Sequence, residues 1–331
     1  MKQKVRFWLG IVLSAASLAL AVKTVNVDET WAALGQVNYY PLLPALAALG
    51  LTLVGKAARW KILFGPRAGH VPLSKIFSVL VIGQMINLLF PLRMGEIARA
   101  YFMGEMAGSN KPLAMATVMV EKAVDMLAVL LLVILVLLAM PFPDWLERPV
   151  LSLTLVSTVL LAALFSVAHQ RGRLSGLVAG LTAIVPAVLR PGFLREQSER
   201  FLDGLGALGN FRAMVSVGVL TCFVWLTSAV TNYFVFLGLG MELPLVASVF
   251  LLLVLQVGVA VPSGPGKIGV FQYLAILALS LFGVPPEKAF ALGVVLYLVV
   301  HTPPIILGLL FLWQYHLGLW RIRALAQESE S

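Results

Sequence analysis

Nine apolar runs follow one another along this chain, at Phe7–Val22, Tyr40–Val54, Ile76–Pro91, Leu113–Met140, Val150–Ala168, Met214–Gly238, Leu245–Pro262, Ile268–Phe282 and Ala289–Tyr315. About 20 apolar residues are needed to cross a hydrocarbon core of about 30 Å. A chain with so many such runs cannot hide them in a water-soluble fold, whose exterior must be polar. Composition agrees: 60% of the 331 residues are hydrophobic and 12% charged, against about 45–50% and about 25% in soluble domains. A soluble globular enzyme is excluded, and residues 1–331 read as a single transmembrane domain. Tyr40–Val54, Ile76–Pro91 and Ile268–Phe282 are short for a clean crossing, the first unless it extends through Phe64. Lys2, Lys4 and Arg6 ahead of the first run, with Ala19 and Ala21 near its end, look like a secretory signal. The many apolar runs behind it favour a retained first span.

Charge sets the orientation. Lys and Arg number 24 against 15 Asp and Glu, a net charge of +9. In a membrane protein such an excess orients the chain and meets anionic head groups, and no basic groove spaced with aromatics points to nucleic acid. Cys222 is the single cysteine and lies in an apolar run, while His70, His169, His301 and His316 are scattered. No disulfide framework or metal tract can be built from them, and no cofactor is expected. Basic residues gather at Lys2, Lys4 and Arg6, in Lys56–Lys75, in Gln170–Arg212, and at Arg321 and Arg323. Basic segments stay inside, so all four are expected in the cytoplasm, both termini included, with the chain in the cell's inner membrane. Within the basic segment 170–212, Leu174–Leu189 has arginine flanks and reads either as a helix in the membrane interface or as a loop helix packed on the bundle.

Nine full crossings would put the loop after Ala168 and the C-terminus outside, against this rule. The economical repair makes residues 76–107 a re-entrant hairpin that turns at Pro91–Gly95 and returns through Ile97–Ala107. Irregular backbone at membrane depth is tolerated only when buried in protein or lining a wet cavity. The same device recurs. Pro91-Leu92-Arg93-Met94-Gly95-Glu96-Ile97 matches Pro262-Ser263-Gly264-Pro265-Gly266-Lys267-Ile268 at Pro, at Gly four on, at a charge five on and at Ile six on. The second hairpin, residues 245–283, would enter from the opposite face, because Glu242–Leu243 falls outside by the charge count. The expected fold is an all-α polytopic membrane protein of about six to eight transmembrane helices, with two re-entrant hairpins in an inverted repeat.

Charges inside the apolar runs mark candidate binding groups. Glu121, Lys122 and Asp125 interrupt Leu113–Met140, and each costs about 2.5–3.5 kcal/mol at the bilayer centre. Spacing lets Lys122 pair with Asp125 while Glu121 holds an arginine of the first hairpin, or lets the group face a substrate cavity. Arg93, Glu96 and Arg99 ride the first turn and its return arm. An arginine fork binds phosphate in two places, and Gly95 lets backbone amides approach an anion at a helix start. Gly264, Gly266 and Lys267 offer a similar turn and one cation, without the spacing of a nucleotide-binding loop. Asn87, Gln84, Gln256 and Gln272 suit helix-to-helix hydrogen bonds. His301 reads as a satisfied bundle residue and Pro303-Pro304 as a kink, while Trp8, Trp31, Trp60, Trp145, Trp313 and Trp320 suit an interfacial belt.

Arg59-Trp60-Lys61-Ile62-Leu63, the stretch Asn87 to Arg99, Glu121-Lys122-Ala123-Val124-Asp125 and Pro262 to Gly269 together resemble the lysylphosphatidylglycerol synthase transmembrane-region family, from about residue 5 to 320. The resemblance implies lipid translocation between leaflets, with Arg93, Glu96, Arg99, Glu121 and Asp125 at motif positions. The soluble aminoacyl-transferase domain of bifunctional members is not in the sequence, which argues against synthesis of lysyl-lipid. The expected substrate is an anionic phospholipid, a hopanoid or a lipid-linked precursor, bound by Arg93, Gly95, Glu96, Arg99, Glu121, Asp125 and Lys267, with Lys122, Asn87, Gly264 and Gly266 in structural roles. The alternatives are a non-catalytic partner of a lipid-synthesis enzyme and a membrane-embedded transferase. No ATP-binding motif occurs, so lipid gradients, ions or a partner must supply any driving force.

Overall fold

A computed structural model of the chain describes residues 2–65, 71–90, 94–107, 111–140, 210–259 and 264–316, with isolated positions between 148 and 159. Every regular element among them is helical. In hydrocarbon a backbone must satisfy its own hydrogen bonds, and a helix does so within one segment. The first half holds α1 (Lys2–Lys23), α2 (Val27–Gly35), α3 (Leu42–Phe64), α4 (Leu73–Leu89), α5 (Gly95–Ala107) and α6 (Lys111–Ala139). The second holds α7 (Phe211–Gly238), α8 (Leu245–Val259), a 3-10 turn at Pro265–Lys267, α9 (Val270–Ser280) and α10 (Pro286–Gln314). Side chains set several boundaries. The Asn26 side chain accepts the amides of Asp28 and Glu29 to start α2, Asn210 accepts the Ala213 amide to start α7, and Gly65 at φ +64° ends α3.

Among the described residues, α3, α6, α7 and α10 are long and apolar enough to cross a membrane, and α1 with α2 makes a fifth if that pair, bent by 89°, is one span. The helices α4, α8 and α9 are apolar but shorter. A long–short–short–long order therefore occurs twice, with 23, 17, 13 and 29 residues in α3 to α6 and 28, 15, 11 and 29 in α7 to α10. The multi-pass, all-helical class holds. The second apolar run does extend through Phe64, so Lys56, Arg59 and Lys61 belong to α3 rather than to a loop. Trp60 is fully buried, not interfacial, whereas Trp31 and Trp313 are exposed. Helix α10 continues through Pro303 and Pro304, whose nitrogens carry no hydrogen, so the Val299 and Val300 carbonyls lose their helical donors. Arg93, Pro262, Ser263, nearly all of segment 170–212, Arg321 and Arg323 lie outside the described residues.

Close packing comes from small residues. Helix α3 lies along α7, where a Cβ at Gly55 would stand 3.0 Å from Val224 Cγ2, and the hydroxyls of Thr52 and Thr227 meet at 2.7 Å. The crossing of α4 with α5 is tighter. A Cβ on Gly95 would collide with the Gly83 carbonyl oxygen, and one on Gly83 with the Arg99 side chain. The Asn87 side-chain oxygen accepts the Gly95 amide at 2.7 Å, capping the first turn of α5.

Gly95→Ala drives its methyl into backbone that has nowhere to move and is expected to cost about 1–3 kcal/mol. Gly50→Ala, with open space around it in mid-helix, is expected to gain up to about 1 kcal/mol. Thermal melts of the purified chain in detergent check this, the two variants shifting the midpoint in opposite directions.

Candidate functional site

Six charged side chains meet between α3, α5 and α6. Arg59, with no exposure, donates from Nη1 to Asp125 Oδ1 at 2.6 Å and from Nη2 to Glu121 Oε1 at 3.3 Å. A further bond from Nη1 to Thr221 Oγ1, 3.1 Å, brings in α7. The other Glu121 oxygen accepts from Arg99 Nη2 at 2.5 Å. Beneath Arg99 lies Trp60, its ring centroid 4.0 Å from the guanidinium carbon, and the Trp60 indole N–H donates to Thr117 Oγ1 at 3.0 Å. Two guanidinium groups and two carboxylates balance in charge, which is what makes their burial affordable in a low-dielectric interior.

The arrangement differs from the simplest reading of the spacing. Lys122 does not pair with Asp125; its Nζ lies 3.0 Å from Glu96 Oε1 on α5, with the lysine side chain about half exposed. Asp125 is held by Arg59 instead. Glu121 does take an arginine of the first hairpin, Arg99, and shares it with Arg59. Arg59 and Thr221 escaped the sequence reading because the charges of α3 were counted as loop charges. The two carboxylates of α6, needing buried cations beyond Lys122, were the signal for them.

The second turn is tied down differently. The Gly264 amide donates to Ser14 Oγ of α1 at 2.8 Å, and the Tyr297 hydroxyl donates to the Gly266 carbonyl at 2.7 Å. Gly266 at φ +74° and Gly269 at φ +89° take left-handed conformations that favour glycine. The Gln272 side-chain oxygen accepts the Gly269 amide at 2.7 Å and starts α9. His301 stacks on Tyr297, ring centroids 4.4 Å apart, and its Nδ1 lies 3.0 Å from the Tyr297 carbonyl.

Between the two halves lies a cavity of about 190 Å³. Lys56 of α3 and Gln84 of α4 line it from one side; Asn232 of α7, Gln256 of α8, Lys267 and His301 line it from the other. Among the described residues its lining holds two lysines and no carboxylate. Of the residues singled out in the sequence, Gln84, Gln256, Lys267 and His301 line this cavity; Glu96, Arg99, Glu121 and Asp125 stand in the ion-pair cluster, and Gly95 and Asn87 in the hairpin crossing. Lys56 was missed for the same reason as Arg59.

The cluster predicts an order of stability. Glu121→Gln removes the carboxylate of Arg99 and is expected to cost about 3–5 kcal/mol. Asp125→Asn leaves Arg59 on Glu121 and costs about 1–2 kcal/mol. Lys122→Ala breaks a half-exposed pair and costs less than about 1 kcal/mol. Melting midpoints in one detergent should fall in that order.

Comparison with known proteins places this architecture. The model of the lysylphosphatidylglycerol synthase TM region matches residues 7–308. A UPF0104 membrane protein of Methanothermobacter thermautotrophicus is 26% identical over 310 residues, covering 86% of this chain and 88% of that protein. A UPF0104 membrane protein of Methanocaldococcus jannaschii is 23% identical over 310 residues, 90% of this chain and 91% of its own length. The glycosyltransferase AglD of Haloferax volcanii is 24% identical over 340 residues, 92% of this chain but 54% of AglD. With a match that runs from α1 into α10, this multi-pass membrane protein belongs to the lysylphosphatidylglycerol synthase TM region family.

Proposed function

We propose that the chain moves an anionic lipid or lipid-linked precursor between leaflets, taking its head group into the cavity between the two halves. The observation that carries this reading is the lining, which among the described residues brings together two lysines, carboxamides and a histidine. Charged groups at membrane depth are expensive and mark substrate pathways. At about 190 Å³ the cavity is smaller than the roughly 300–1,000 Å³ of pockets that enclose whole ligands, so it suits a head group while the acyl chains stay in lipid. Lys56 and Lys267 neutralise the phosphate. The ion-pair cluster of Arg59, Arg99, Glu121 and Asp125 fixes α3, and Arg93 remains a proposed head-group contact from its motif position in the sequence.

Two broken segments facing one site from opposite leaflets are the pattern of an inverted-repeat transporter, and the repeated long–short–short–long order supports it, with residues 76–107 and 245–283 as the re-entrant hairpins. Orientation follows from charge. Asp28, Glu29 and Glu287, whose Oε1 accepts the Asn26 amide, gather at the α2 end, as does Glu242 just beyond α7. Lys61 and Lys75 lie at the far ends of α3 and α4. The reading that follows the basic segments of the sequence has the α2 end outside and both termini in the cytoplasm of an inner membrane. The likeness to a glycosyltransferase favours, as a second reading, a non-catalytic membrane partner of a lipid-modifying enzyme.

Reconstitution with a fluorescent-tail phosphatidylglycerol and bleaching of the outer leaflet tests the first reading. The unmodified chain should exchange leaflets, and Lys56→Gln should slow exchange about tenfold, the loss of one well-placed charge contact. An unchanged rate in Lys56→Gln overturns the assignment of the cavity. A chemically altered lipid would point to a transferase, and no exchange by the unmodified chain to a partner role.

A further inference from the structure

We infer that the chain couples lipid movement to a proton carried on His301, so that a lipid phosphate and a proton cross together. The inference rests on the reading of the cavity as the head-group site and adds what the movement runs on.

Geometry fixes where the proton can sit. The His301 ring stacks on Tyr297, centroids 4.4 Å apart at 27°, and stands edge-on to Phe271 at 5.5 Å and 82°. Two aromatic neighbours thus hold the plane of the imidazole. Its Nδ1 lies 3.0 Å from the Tyr297 carbonyl, four residues back on α10. A carbonyl can only accept, so Nδ1 carries a hydrogen and donates it. That leaves Nε2 as the ring atom on which a further proton is taken up. Nε2 makes no hydrogen bond among the described residues, and the side chain lines the cavity. His301 also stands just before Pro303 and Pro304, where α10 lacks two ladder bonds, so a change of charge there acts at the most compliant point of the helix.

Charge decides when the proton is held. Among the described residues, the charged groups that share the cavity with His301 are Lys56 of α3 and Lys267 of the second turn; α4, α7 and α8 present carboxamides, hydroxyls and alkyl groups, and α9 presents the Phe271 ring. On α10 itself the Tyr297 hydroxyl is committed to the Gly266 carbonyl. Asp125 and Glu121 of α6 act on Lys56 and are held by Arg59. While the cavity holds only water, a proton on Nε2 would add a cation beside Lys56 in a space of low dielectric, and the ring stays neutral. A phosphodiester reverses the sign, because a negative charge beside the imidazole favours the imidazolium. Histidine is the side chain that a neighbouring charge can carry across its titration near neutral pH. Phosphate and proton therefore strengthen each other's binding, and the effect is reciprocal. The proton comes from water admitted with the head group and returns to water on the opposite face when the phosphate leaves. One phosphate charge and one proton cross together, so the pair carries no net charge through the hydrocarbon.

Calorimetric titration of the full chain in detergent with a short-chain phosphatidylglycerol, in two buffers of different ionisation heat, counts the protons taken up on binding. About one proton per lipid is expected where the empty ring is neutral and the occupied ring charged, and there the affinity should tighten about tenfold for each unit the pH falls. His301→Gln and His301→Asn should bind more weakly, with no proton uptake and an affinity that is flat in pH. In vesicles held about one pH unit more acid outside, the unmodified chain should move fluorescent-tail phosphatidylglycerol towards the inner leaflet, up to about tenfold beyond protein-free vesicles. Either variant should lose that bias. The unmodified chain decides the coupling, and the variants decide its carrier. Binding without proton uptake overturns the coupling and spares the head-group site, as does leaflet exchange that ignores the gradient. Proton uptake that persists in both variants overturns the role of His301. No binding by the unmodified chain overturns the head-group site itself.

Discussion

A guanidinium without solvent contact, placed where the surroundings are hydrocarbon, is the constraint around which this bundle is arranged. Arg59 has no exposure and draws Asp125 and Glu121 of α6 and Thr221 of α7 onto one side of α3. Leaving such a charge without partners would cost several kcal/mol, so the rotation of α3 about its axis is fixed by chemistry rather than by shape alone. Lys56 sits three residues earlier on the same helix, and residues three apart share a face. The pairing that satisfies Arg59 therefore also aims Lys56 at the cavity. Glu121 extends the same logic to α5, because its second oxygen holds Arg99, and Arg99 in turn lies on Trp60 of α3.

Much of the fold was legible in the sequence because the bilayer imposes a length on any apolar run. Helices α6, α7 and α10 fall close to the runs that predicted them, while α4 stops at Leu89 and α5 starts at Gly95. The second run was truncated at its first charge, Lys56, and that single choice hid both the anchor Arg59 and a lysine of the cavity. Trp60 followed: beside a supposed loop it looked interfacial, whereas inside a helix it is a packing surface for Arg99. The pairing of Lys122 with Glu96 was out of reach for another reason. Spacing rules describe neighbours on one helix, and this contact depends on how closely α5 approaches α6, which is decided elsewhere, at the glycine crossing of α4 with α5.

The two turns reach their positions by different means. The first is shaped by the absence of side chains, Gly95 resting against Gly83, with Asn87 closing the amide. The second is held by hydroxyls from outside itself, Ser14 from α1 and Tyr297 from α10. The shared Pro and Gly pattern thus produces two turns that are alike in sequence and unlike in anchorage. The second is coupled to α10, and α10 carries His301 and Val300 along the cavity wall.

That coupling gives the paired prolines of α10 a mechanical meaning. Pro303 and Pro304 remove two consecutive rungs from the helix ladder, and a helix bends most cheaply where its ladder is missing. The soft point falls just beyond His301, between the part of α10 that anchors the second turn through Tyr297 and the part whose Leu312 packs into the core around α3, α4 and α5. Helix α10 is thus two stiff rods sharing one compliant joint, the one tied to the second turn and the other packed among α3, α4 and α5.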